Sequence, residues 1–148
     1  MLDIQIKEIL EYTKKVDEAI SAIYAKFSES AHNQLAGQLA EYLGRHYKRM
    51  SEVIGTMSEE KSSTLLSAYV PYGPQPADIK RLEDFTLEPD SSVDDLLDRA
   101  IELDGKLVEM FKMVLDEPVG LEVKELFEKL VKHEEGDQAN LRKIKAYY

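Results

Sequence analysis

The 148-residue chain contains no cysteine. This absence excludes disulfides, thiolate zinc sites, iron–sulfur clusters and cysteine nucleophiles. The sequence also lacks any stretch approaching the roughly 18 apolar residues of a spanning helix, and its N-terminus lacks the basic segment and apolar run of a secretion signal. We therefore expect a cytoplasmic protein with no membrane partner.

Positive charge, proline and glycine are also scarce. Lys and Arg number 19 against 29 Asp and Glu, which gives a formal net charge of −10 at pH 7. That charge argues against nucleic-acid partners and anionic membranes. There is no glycine-rich phosphate loop and no nucleophile elbow, so we expect neither nucleotide binding nor hydrolase activity. We also expect no haem cofactor. Five prolines and seven glycines leave room for long helices within a single domain over residues 1–148.

Four heptad-spaced apolar seams predict four long helices. Steps of three and four residues alternate within each seam, which keeps its members on one helix face. The seams are Ile6-Leu10-Thr13-Asp17-Ile20-Tyr24-Phe27, Ala36-Leu39-Leu43-His46-Met50-Val53-Met57, Leu97-Ala100-Asp104-Leu107-Phe111-Val114 and Val123-Phe127-Leu130-Glu134-Asp137-Leu141-Ile144. This pattern predicts an all-α, antiparallel four-helix bundle.

The chain should be organised as two helical hairpins joined by a long crossover. The hairpins are predicted at about 2–57 and 93–146, and the crossover at about 58–92. Prolines interrupt the crossover, but a short helix is possible at 77–85. The four long helices are predicted at about 2–29, 31–57, 93–116 and 120–146. We expect the second to continue or restart toward Ala68, and the third to begin at Ser91 or Ser92 as its N-cap.

Each seam is interrupted near its middle by a side chain that can bind a metal. These candidate ligands are Asp17, His46, Asp104, Glu134 and Asp137. Four carboxylates and one imidazole cannot share a dry core without protons, basic partners, water or a cation. A bound cation is the most direct solution, and iron, manganese or zinc would suit these nitrogen and oxygen donors.

The two predicted hairpins also resemble each other. Asp17 precedes an aromatic residue by seven positions, and so does Asp104. In the second helices, LAEYLGRHYKRM aligns with LVKHEEGDQANL, which pairs Leu43 with Glu134. The offset between matched positions is four residues larger in the second helices than in the first, so the link inside the second hairpin should be four residues longer.

This duplicated pattern resembles the rubrerythrin branch of the ferritin-like superfamily. In that family the first helix of each hairpin supplies a Glu seven residues before a Tyr or Phe, and the second supplies Glu-x-x-His. The resemblance places the six ligand positions at Asp17, Leu43, His46, Asp104, Glu134 and Asp137. Leu43 cannot bind a metal, although its position is one of the two that bridge the irons. The resemblance therefore implies a diminished di-iron site, with one ion favoured over two.

The resemblance leaves two main functions open, and a third, iron storage, is weaker because the sequence gives no independent evidence for a shell-forming assembly. One is a metal-binding protein that acts as a metal-dependent oxidoreductase, with Tyr24 as a hydrogen donor. It would need an external electron donor, because the cysteine-bound iron centre common in rubrerythrins is absent. The other is a non-catalytic bundle that has lost the metal centre and acts through protein interaction, as in a homodimer. Four tyrosines assigned to positions off the core face are candidates for a partner surface: Tyr42, Tyr47, Tyr147 and Tyr148.

Each candidate ligand also has a purely structural alternative. A core histidine can simply be hydrogen-bonded, a seam carboxylate can fix helix register, and a carboxylate pair can bind Lys or Arg. His133 lies beside the fourth seam and would become a ligand if that helix were rotated. His32 is expected to be solvated.

Overall fold

A computed structural model describes residues 3–147 of the protein, which are mainly helical. Its helices are α1 (Ile6–Ser30), α2 (Gln34–Glu60), α3 (Ser63–Ser67), α4 (Pro76–Lys80), α5 (Val93–Leu115) and α6 (Leu121–Ala146). Two short strands are β1 (Ile4–Gln5) and β2 (Tyr69–Val70), and a single 3-10 turn covers Arg81–Glu83. α1 packs along α2, and α5 packs along α6. The predicted all-α bundle of two hairpins is confirmed.

Capping side chains fix where the long helices begin. The Ser92 hydroxyl accepts a hydrogen bond from the Asp95 amide at 3.1 Å, and the Asp95 carboxylate accepts one from the Ser92 amide at 2.9 Å. This reciprocal pair is a capping box, so α5 starts after Ser92 rather than Ser91. The Asn33 side chain caps α2 by accepting from the Ala36 amide at 3.0 Å.

The crossover contains the short helices that the sequence predicts, together with one element that it does not predict, the strand β2. The second helix continues to Glu60 and restarts as α3, as expected, and α4 with its 3-10 turn occupies most of the predicted 77–85 helix. The linker of the second hairpin, 116–120, is longer than that of the first, 31–33, but by two residues rather than the predicted four. Within residues 3–147, no helix combines the length and apolar character needed to cross a bilayer.

The predicted start of the first helix near residue 2 is wrong for the described part of the chain. Residues 4 and 5 form β1, which pairs antiparallel with β2 and matches Ile4 to Val70. Both side chains are buried, and a Cβ atom at Gly73 would lie 2.8 Å from the Ile4 side chain. The burial of two β-branched residues against a glycine-containing turn favours a strand over a further helical turn.

The predicted core face of α2 is displaced by one residue over its second half. The side chain of Val53 is assigned to the core by the seam, but it is 46% exposed, whereas Ile54 is only 1% exposed. Tyr47 is assigned to the surface and is also 1% exposed. A straight helix drifts by about 20° per heptad relative to a seven-residue repeat. The buried face therefore reads Leu43, Tyr47, Met50 and Ile54, and His46 moves to its edge.

The first hairpin is held closely together at Gly44. The Ser21 hydroxyl donates a 2.6 Å hydrogen bond to the Gly44 carbonyl oxygen. A Cβ atom at Gly44 would lie 3.3 Å from the Ser21 carbonyl oxygen and 3.4 Å from the Ala25 amide nitrogen. This close backbone approach brings α1 and α2 together beside the candidate metal ligands.

The same substitution at two glycines tests how closely α1 and α2 pack at Gly44. Gly44→Leu should lower the free energy of unfolding by roughly 1–3 kcal/mol, because a large side chain must push α1 away from α2. Gly136→Leu, in α6 with no neighbouring atom within 4 Å of a built Cβ, should raise it by about 0.5–1 kcal/mol through helix propensity. Urea denaturation of both variants measures the difference. Equal effects would show that α1 and α2 are not tightly apposed at Gly44.

Candidate metal centre

Three of the predicted ligands are buried together in the centre of the bundle. Asp17 lies on α1, Asp104 on α5 and Glu134 on α6, and all three side chains are buried. They are close enough that their mutual repulsion contributes to the pKa of Asp17 and of Glu134. We call this group the carboxyl layer. Its members come from three of the four long helices, whereas the seams predict a layer with members from all four.

The carboxyl layer has too few hydrogen-bond donors. Both carboxyl oxygens of Asp17 and the Oδ2 atom of Asp104 are buried without a hydrogen-bond partner among the described residues. An unsatisfied buried polar group costs about 1–3 kcal/mol, and more when it is charged. These oxygens therefore favour a proton or a cation.

Burial and mutual repulsion raise the pKa of every carboxyl in the layer. Burial raises the pKa of Asp17 well above its ordinary value, and Asp104 and Asp137 raise it further. Burial likewise raises the pKa of Glu134, followed by repulsion from the neighbouring aspartates. The pKa of Asp104 is raised by burial to about 7, although Tyr47 and His46 oppose this shift. The layer therefore binds protons much more readily than solvated carboxylates do.

Two stacked tyrosines form the wall beside the layer. The rings of Tyr24 and Tyr47 are parallel to within 4°, with centroids 5.9 Å apart. The Tyr47 hydroxyl donates to the Oδ1 atom of Asp104 at 3.2 Å, and burial raises the pKa of Tyr47, which keeps it a neutral donor. The Tyr24 hydroxyl instead donates to the Leu96 carbonyl oxygen at 3.0 Å. Tyr47, which sequence reasoning missed, is therefore the phenol that contacts the layer.

His46 and Asp137 lie at the edge of the layer rather than in its centre. Their side chains are each 15% exposed, and His46 Nε2 is 3.4 Å from Asp137 Oδ2. His133 Nε2 is 3.5 Å from the same oxygen, with a side chain 48% exposed. The carboxylate of Asp137 is thus flanked by two imidazoles. His32 is exposed, as expected.

The residues present do not fit a two-metal centre. Leu43 is fully buried where the resemblance places a bridging carboxylate. Over residues 3–147, no three His, Asp or Glu side chains already converge as metal ligands. The unpartnered oxygens and the nearby imidazole do match the donor chemistry of one hard or borderline cation. Binding one would require these side chains to reorient.

Comparison with known proteins gives a match at the level of structure. No family model matches the chain, and no curated protein matches its sequence. The fold is similar to that of a Thermotoga maritima protein whose crystal structure is described as a "putative ferritin-like diiron-carboxylate protein". The TM-score is 0.65 and the sequence identity 18%, and the match covers 99% of this chain and 97% of the other. The chain therefore has the ferritin-like fold.

Proposed function

We propose that this protein binds one divalent cation, iron, manganese or zinc, at the carboxyl layer. The observation that carries the proposal is the set of buried carboxyl oxygens without partners on Asp17 and Asp104. A cation would neutralise the repulsion among the layer carboxyls and bind the free oxygens. The name of the Thermotoga maritima neighbour, which refers to a di-iron carboxylate protein, points to the same chemistry.

The residues that would hold the cation come from all four long helices. Asp17, Asp104 and Glu134 would supply oxygen from the buried side, and His46 and Asp137 would supply nitrogen and oxygen from the edge. Tyr47 orients Asp104 through its hydrogen bond to Oδ1, which leaves Oδ2 available. A bound iron or manganese ion would supply the redox chemistry that an oxidoreductase needs. The loss of one bridging carboxylate at Leu43 favours one ion over two.

A rubrerythrin-like oxidoreductase is the more specific form of this proposal. In it, Tyr47 replaces Tyr24 as the candidate hydrogen donor, because its hydroxyl contacts a layer carboxyl and that of Tyr24 contacts the backbone. Electrons would have to come from an external donor, since the chain has no cysteine with which to build an iron–sulfur centre.

The second candidate function is a non-catalytic bundle that acts through its surface. Two observations favour it: Leu43 is packed in the core, and in the described part of the chain no three His, Asp or Glu donors converge. Tyr42 and Tyr147 are exposed, as a partner surface or homodimer would require. Tyr47 is buried and does not belong to such a surface, and Tyr148 lies outside the described residues.

Thermal stability distinguishes the two functions. If the layer binds metal, removing it with a chelator should lower the melting temperature, because the cation binds only the folded chain. Adding iron, manganese or zinc at 100 times its dissociation constant should restore about 2.7 kcal/mol of folding stability.

Elemental analysis should give no more than one ion per chain. His46→Ala and Glu134→Ala should abolish the response, and His32→Ala, in the exposed link, should leave it unchanged. A melting temperature that is unchanged by chelator and by all three metals would favour the surface function.

The raised pKa values predict how the metal-free protein responds to pH. Between pH 3.8, which is the ordinary pKa of Asp104, and about pH 7, which is its raised pKa, the folded chain holds a proton there that the unfolded chain has released. The raised pKa values of Asp17 and Glu134 act in the same direction. Unfolding then releases protons, so the free energy of unfolding falls as pH rises, by about 1.4 kcal/mol per pH unit for each such proton. Urea midpoints of chelator-treated protein should therefore be higher at pH 5 than at pH 8.

Isosteric variants test whether the layer carboxyls cause this loss of stability with rising pH. Asp104→Asn should reduce the loss of stability between pH 5 and pH 8, because it removes one titrating carboxyl without changing its shape. Asp90→Asn, in the exposed turn before α5, should leave the loss as it is. A wild-type protein that gains stability over this range would show that the carboxyls are ionised in the folded state.

A further inference from the structure

The part of α6 that contributes to the carboxyl layer has no large apolar side chain to anchor it. Residues 132–140 read KHEEGDQAN, and their one apolar side chain is an exposed alanine. The nearest buried apolar side chains on α6 are Val131 and Leu141, at the two ends of this stretch. We call it the polar segment. Most helices in proteins are held in place by burying an apolar face, so the polar segment depends on other contacts.

The polar segment is also a weak stretch of helix. Gly136 lies near its middle, and a Cβ atom built there has no neighbouring atom within 4 Å, so no close packing requires a glycine. Glycine destabilises a helix interior relative to alanine, because it loses more backbone freedom on folding. Segments with few buried apolar contacts open locally more often than the rest of a fold. We therefore expect the polar segment to open more readily than residues 123–131 of the same helix.

A hydrogen bond joins the polar segment to α5 beside the carboxyl layer. The Gln138 Nε2 atom donates to the Ile101 carbonyl oxygen at 3.1 Å. Gln138 lies one helical turn after Glu134, and Ile101 lies nearly one turn before Asp104, so the bond is close to the layer on both helices. Gly105 leaves room for it, because a Cβ atom there would lie 3.1 Å from Gln138 Nε2.

Other contacts of the polar segment are weaker or lead to a different helix. Glu135 lies 4.0 Å from Lys112 on α5, but both side chains are more than half exposed, and such ion pairs contribute little. Asp137 and His133 contact side chains of α2 rather than of α5. The Gln138 hydrogen bond is therefore the partly buried contact that fixes the polar segment against α5.

We propose that Gln138 is a positioning residue for the carboxyl layer. Its amide holds the polar segment against α5 and so keeps Glu134 in the layer with Asp104. This inference rests on the proposed function, because it concerns how the same layer is preorganised for its cation. Ligands that a supporting contact holds in place bind a metal more tightly than ligands that binding itself must order.

Hydrogen exchange of the metal-free full chain tests the contact without any ion. Amides of the polar segment should exchange faster than those of residues 123–131. Gln138→Met removes the donor and keeps a side chain of similar length, so it should accelerate exchange in the polar segment by about fivefold, the factor for one hydrogen bond of ordinary net strength. Gln38→Met, a matched change at an exposed glutamine of α2, should not. Unchanged exchange in Gln138→Met would overturn the proposal.

Calorimetric titration with Mn(II) tests the positioning role. Gln138→Met should weaken Mn(II) binding by about tenfold or more, the usual cost of losing a group that orients a metal ligand, and Gln38→Met should bind as the wild type does. Wild-type affinity in Gln138→Met would overturn the positioning role and leave the metal proposal intact. A wild-type chain that binds no Mn(II) would overturn both.

A double variant separates positioning from simple helix stability. Adding Gly136→Ala to Gln138→Met strengthens the helix but does not restore the donor. The double variant should therefore regain thermal stability and keep the weak Mn(II) affinity. Recovery of the affinity together with the stability would show that Gln138 only stabilises α6, and it would overturn the positioning role.

Discussion

The cost of burying carboxylates constrains this molecule more than any other interaction. Removing an ionised carboxylate from water costs several kcal/mol even after the protein relaxes. The bundle nevertheless places Asp17, Asp104 and Glu134 together in its core, where the Tyr47 hydroxyl donates to Asp104. An apolar core of the same shape would be easier to stabilise. A layer that contains these groups must therefore be neutralised by protons or by a cation.

The α2 and α6 sides of the carboxyl layer differ in what they contribute to it. On the α2 side, the fully buried Leu43 occupies the position where the resemblance expects a further ligand. On the α6 side, Glu134 remains in the core. The remaining polar groups are thus arranged asymmetrically, with carboxyls at the centre and imidazoles at the edge.

Sequence periodicity predicted the four helices and the burial of Asp17, Asp104 and Glu134, because these features depend only on which residues share a helix face. It misplaced His46, Tyr47 and Val53, since a strict heptad pattern hides the slow rotation of a straight helix. The pairing of β1 with β2 was also missed, because contacts between distant short segments leave no local period. The 3.0 Å contact between the Met50 sulfur and His133 Nε2 could not be predicted either. It depends on how α2 and α6 are rotated against each other, which the sequence pattern does not show.

The most direct test of the account is to count the protons released when metal binds. Metal ligands must be deprotonated, so a carboxyl layer that holds protons near neutral pH must release them on binding. Calorimetric titration of Mn(II) or Zn(II) into chelator-treated protein at about pH 6.5, in two buffers with different ionisation enthalpies, gives this number. The account predicts release of about one proton or more per bound ion, and a smaller release from Asp104→Asn. Binding without proton release, or no binding of either ion, would contradict it.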